Sequence, residues 1–119
     1  MATHRRIALL IGQDMGYTRD VLRGIQAYGR SQPDWIFRDG PPDPRILGPL
    51  KEWQPHGIIA HLFDKNLANR LAKFRAPLVN TTNTLKDLRV PLVEVDHARI
   101  GEMAAEYFLH RGFRHFGYF

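Results

Sequence analysis

A chain of 119 residues, 44% of them hydrophobic, can bury one core; a complete two-lobed protein, with lobes of ~100–150 residues each, is excluded. The formal net charge of +5 and pI ≈ 10.0 raise the question of nucleic acid. The cations are dispersed, however, over Arg5, Arg6, Arg70, Lys73, Arg75, Arg111 and Arg114 rather than gathered on one groove-reading helix, the pattern of solvated faces and turns. Cysteine is missing, which excludes disulfides and thiolate metal sites and fits the cytoplasm.

Along the chain, Ile7-Ala8-Leu9-Leu10-Ile11 is an unbroken apolar run, expected of a strand buried on both faces of a parallel sheet. It is too short for the core of a signal peptide, and no run in the chain reaches the length of a membrane span. Val21, Leu22, Ile25 and Tyr28 recur at helical spacing, predicting a first helix from Arg19 to about Arg30 with Thr18 as its N-cap. Trp35-Ile36-Phe37 reads as a second strand, and the proline-rich segment Asp39 to Pro44 as a stiff loop. Ile46, Leu47, Leu50 and Trp53 share a helical face. Pro49 among them predicts a second helix that is kinked or begins only near Gly48.

Gly57-Ile58-Ile59-Ala60 is the third predicted strand, and Leu67, Leu71 and Phe74 mark a third helix ending before Pro77. Pro77 to Asn80 is the fourth strand, Thr81 to Arg89 a polar loop, and Leu92 to Val95 a fifth strand. Asp96 caps a fourth helix, in which Ile100, Met103, Ala104, Tyr107 and Phe108 form an amphipathic stripe. Phe116 to Phe119 opens a last strand. Strands alternating with helices through short connections predict right-handed βαβ units, hence an α/β fold with an open, doubly wound parallel sheet. The chain stops inside an apparent strand, so it reads as a fragment.

Four stretches carry a family likeness: Arg6 to Leu10, Tyr17 to Ile25, Trp53 through Gly57-Ile58-Ile59-Ala60 with Asp64-Lys65, and Val95-Asp96 to Gly117-Tyr118-Phe119. Together they resemble the amino-terminal lobe of the effector domain of lac-repressor-type sugar regulators, a type I periplasmic-binding-protein-like lobe with flavodoxin-like strand order. The second and third stretches are most similar to the xylose-operon regulators, which carry an arabinose-regulator-type DNA-binding domain at the carboxyl end. Pro49 and the insert Asp39 to Pro44 depart from that pattern. The resemblance implies residues 1–119 as one lobe, with a second lobe and the DNA-binding domain outside this sequence, and a homodimer that contacts DNA only through that domain.

In an open α/β sheet ligands meet the carboxyl ends of the strands. Gln13, Asp14, Tyr17 and Arg19 follow the first strand there, Phe63 and Asp64 the third, Asn80 and Thr81 the fourth, and Asp96 and His97 the fifth. Of these, Asp14, Tyr17, Arg19, Phe63, Asp64, Asn80 and Asp96 are the candidate ligand-binding residues. Carboxylates and arginine serve neighbouring sugar hydroxyls, and an aromatic ring covers the apolar sugar face. Three of them have a structural alternative: Asp96 and Asp64 as helix caps, Tyr17 as packing. The resemblance adds weight to Asp14, Arg19 and Asp64.

Catalytic and cofactor motifs find no support. Ser31, the only serine, lies outside any strand-turn-helix elbow, and Gly12 to Gly16 lacks the further residues of a dinucleotide or phosphate loop. His56 and His61, like His110 and His115, are five apart, which suits surface or turn histidines rather than metal ligands. The expectation is therefore a non-enzymatic, cofactor-free and metal-free cytoplasmic sensor of a small sugar, xylose or a related pentose, without a membrane partner. A phosphoryl-accepting receiver domain and a small α/β enzyme are the alternatives. The first would need an acidic pair after the first strand, an Asp ending the third and a Lys after the fifth, and here only Gln13-Asp14 follows the first.

Overall fold

The computed structural model describes residues 3–117 and 119. In chain order they form β1 (Arg5–Leu10), α1 (Gly16–Gly29), β2 (Trp35–Asp39), α2 (Leu47–Trp53), β3 (Gly57–Ala60), α3 (Lys65–Leu71), β4 (Leu78–Asn80) and α4 (His97–His110). A 3₁₀ turn, Pro44–Ile46, leads into α2. The four strands make one all-parallel sheet in the order β2-β1-β3-β4. This is the open, doubly wound, flavodoxin-like arrangement that the alternating elements predict. Ile7 is paired with Phe37 on one side and Gly57 on the other, and Ala60 of β3 with Leu10 and Asn80.

Why the first run lacks polar alternation is visible in the two cores. Ala8 and Leu10 join Ile58, Ala60 and Leu62 under α2 and α3, packed by Leu50, Leu67 and Leu71. Leu9 and Ile11 point the other way, against Leu22 of α1, with Val21, Ile25, Phe37 and Ile59 around them. With side chains alternating between faces, a central strand covered on both needs apolar residues at every position.

Several predicted boundaries shift for identifiable reasons. α1 begins at Gly16, so Thr18 is its third residue rather than its cap. The Thr18 hydroxyl accepts the Met15 N–H at 3.4 Å and donates to the Met15 carbonyl at 2.9 Å. That is the reaching-back arm of a capping box, which a third-position Thr can supply. Pro49 is the third residue of α2, where its missing N–H would have had no helical partner, so it leaves the helix unbroken. Asp43 caps the preceding turn, accepting the Arg45 N–H at 2.9 Å and the Arg45 guanidinium at 2.8 Å. α3 stops at Leu71, earlier than Pro77 requires, and the chain leaves it through tight bonds from Lys73 to Arg70 and Phe74 to Leu71.

Two predicted strands do not form. Leu92 to Val95 makes a single parallel bridge, Asn80 to Leu92, closed by the Asn80 N–H on Pro91 at 2.8 Å and the Val93 N–H on Asn80 at 2.9 Å. β4 is only three residues long and Pro91 brings no N–H to a ladder, so no second rung follows. No strand forms at residues 116, 117 and 119 either, and Tyr118 lies outside the described residues. Instead the Phe113 and Phe116 rings gather on Phe108, at 5.8 and 5.7 Å.

α4 has the predicted start, with the Asp96 carboxylate accepting the Arg99 N–H at 3.0 Å. It ends in a Schellman closure: Gly112, at φ +84°, donates to Leu109 and Phe113 to Phe108. All its residues are exposed, its apolar stripe included. The helix stands off the sheet, and the Cα radius of gyration of 17.8 Å exceeds the roughly 13.5 Å of a compact domain of this length.

Candidate functional site

Helices change face where the chain order reverses, between β1 and β3. At their carboxyl ends this leaves the crevice in which ligands of open α/β sheets bind. β1 runs into Gly12, whose φ of +80° turns the chain sharply toward α1. That turn puts Gln13, Asp14 and Met15 on the rim and Tyr17 in the first turn of α1. Arg19 reaches back to donate to the Gln13 carbonyl at 3.1 Å, holding the loop in place. Asp14 is exposed on the outer side of this loop, in a cleft of about 310 Å³ that Asp39 and Pro42 also line.

On the inner side stands a cluster of rings. His61 leaves the end of β3 with its N–H bonded to the Leu10 carbonyl at 2.9 Å. Its ring centroid lies 6.1 Å from those of both Tyr17 and Phe63. Thr81 joins them: its hydroxyl is 3.2 Å from His61 Nδ1, and its carbonyl accepts the Tyr17 hydroxyl at 3.1 Å. His61 is 8% exposed and Phe63 52% exposed, so the imidazole sits inside and the phenyl ring at the mouth. Burial pushes the His61 pKa below its ordinary value, which keeps the ring neutral at pH 7.

The remaining candidates are placed apart from this cluster or engaged elsewhere. Asp64 is the N-cap of α3, accepting the Leu67 N–H at 3.0 Å. Asn80 is buried, its Oδ1 accepting the Leu62 and Thr82 N–H groups at 3.2 and 3.1 Å while its Nδ2 donates to the Thr82 carbonyl. Its amide is a brace between the β3 and β4 loops. Asp96 caps α4 one residue beyond Val95, which with Tyr17, Val79 and Thr81 lines an apolar groove of about 380 Å³. The structure thus brings Tyr17 and Phe63 together, keeps Asp14 on the neighbouring loop and Arg19 in the first turn of α1, and uses Asp64, Asn80 and Asp96 locally.

Spacing alone marks His61 as a surface or turn histidine, and the structure buries it instead. Its spacing to His56 was the wrong signal, since His56 is exposed and accepts the Arg6 N–H at 2.9 Å through Nδ1. The informative signal is position: His61 follows Ile58-Ile59-Ala60 directly, where the carboxyl end of a central strand meets the crevice. Among the described residues no three His, Asp or Glu side chains gather as metal ligands, and no helix is long and apolar enough to cross a membrane. No protein-family model matches the chain, and neither a curated protein nor a solved structure matches it.

Proposed function

We propose that this chain is one wall of a sugar-binding cleft, the amino-terminal lobe of the effector domain of a sugar-responsive transcription regulator of the xylose-regulator kind. The observation that carries the reading is the Tyr17, His61 and Phe63 cluster at the switch point of an open parallel sheet. Aromatic rings beside hydrogen-bonding groups suit a molecule with apolar C–H faces and a rim of hydroxyls. Asp14 on the adjoining loop and Arg19 in the first turn of α1 add acceptors and donors for a neutral pentose, and Asp64 and Asp96 face the same end of the sheet in this reading. The role is binding without catalysis. DNA contact belongs to a further domain, and ligand binding is transmitted by closure of a second lobe over this one. The exposed apolar stripe of α4 supports the accompanying proposal of a homodimer.

One wall holds only part of a sugar and leaves its other hydroxyls in water, where each protein contact merely replaces a water contact. Calorimetry of this chain with D-xylose and L-arabinose is expected to give heats only at millimolar sugar, lost in Phe63→Ala. Micromolar binding by this chain, or heats unchanged in Phe63→Ala, would overturn the reading.

A further inference from the structure

We propose that His61 contacts the ligand directly, its Nε2 accepting a hydroxyl hydrogen, and that this selects an uncharged sugar over its phosphate or carboxylate derivatives. The proposal rests on the sugar-binding reading and adds to it a residue and a ligand class.

The argument follows one hydrogen. Thr81 Oγ1 lies 3.4 Å from the Ala60 carbonyl, to which it can only donate, since a carbonyl oxygen carries no hydrogen. With its single hydrogen directed there, the same hydroxyl accepts from His61 Nδ1 at 3.2 Å; directed at Nδ1 instead, it would require the opposite tautomer. The first arrangement places the proton of the neutral imidazole on Nδ1 and leaves Nε2 its lone pair. Thr81 is itself held in place, donating its N–H to Ala60 at 3.0 Å and receiving the Tyr17 hydroxyl on its carbonyl at 3.1 Å. So the tautomer is set by a threonine that the sheet and α1 both restrain.

Nε2 has no hydrogen-bond partner among the described residues, yet it is not sealed off from solvent. It belongs to a ring whose centroid lies 6.1 Å from those of both Tyr17 and Phe63. A hydroxyl can donate to it while neighbouring C–H groups rest on Phe63. A phosphate or carboxylate oxygen brings a second lone pair to the same point and is repelled, with the burial of the site strengthening that repulsion.

Nitrogen-15 spectra of the imidazole rings test this on the unmodified chain, with D-xylose and xylose 5-phosphate as probes. The free protein is expected to show His61 with Nδ1 protonated and Nε2 bare, and D-xylose to move the Nε2 resonance toward the hydrogen-bonded range while the phosphate leaves it in place. An Nε2–H tautomer in the free protein overturns the proposal. So does a D-xylose titration that moves Tyr17 and Phe63 signals but not Nε2, which leaves the sugar-binding reading standing. Equal response to the phosphate removes the ligand class. No response anywhere to D-xylose overturns the proposal together with the function it rests on.

Discussion

At the scale of single residues, two buried polar groups bear most of the weight at the carboxyl end of the sheet, and they carry it differently. Asn80, 4% exposed, satisfies two backbone N–H groups with one oxygen. Asn80→Ala leaves both without partners, at a cost of about 2–3 kcal/mol given roughly 1–3 kcal/mol for an orphaned buried donor. Urea denaturation measures this, and a loss below about 0.5 kcal/mol would show that the brace carries nothing. His61 adds a pH dependence. Its folded-state pKa is depressed by burial, so as pH falls the unfolded chain takes up the proton first. Stability is then full above the unfolded value of about 6.5 and declines below it until the folded-state value is passed. The thermal midpoint is expected to drop between about pH 7 and pH 5, more steeply in the parent chain than in His61→Gln. Equal slopes in the two proteins would contradict the burial of a neutral ring.

Elements were legible wherever a local pattern and a local cause coincide. The unbroken run of β1, the stripe of α1 and the Asp96 cap each follow from neighbours in sequence, and they stand where the residues predict. What escaped depends on partners distant in sequence. Leu92 to Val95 has the apolar character of a strand but meets a β4 that ends after three residues. His61 acquires its role from Tyr17 and Thr81, each at least 20 residues away, as the His61 to Thr81 bond shows. Gly29 is another such case: any Cβ there would collide with the Phe37 ring, so α1 closes on β2 only because the residue has none. Overpacking of this kind costs about 1–3 kcal/mol. Gly29→Ala is expected to lose that much in denaturant titration despite the better helix propensity of alanine, and a stabilised variant would show that the contact relaxes freely.

On the scale of the whole molecule, the exposed face is a helix. Ile100, Met103, Tyr107 and Phe108 of α4, with Phe113 and Phe116 beyond it, are all exposed, and clustered apolar exposure of this kind marks interaction sites. With no strand at residues 116, 117 and 119, the α4 stripe is the surface on offer. Light scattering at micromolar concentration is expected to give twice the 13.8 kDa chain mass, and Met103→Lys with Tyr107→Lys to return it to one chain. A strictly monomeric parent chain would contradict the dimer.

The central claim, a half-cleft for sugar at the carboxyl end of the sheet, is tested most directly by an amide NMR titration with D-xylose. The expected result is a set of shifts confined to the loops around Asp14, Tyr17, His61, Phe63 and Thr81, with a midpoint at millimolar sugar or above. Shifts scattered over the α2 and α3 face, or none at all, would contradict it.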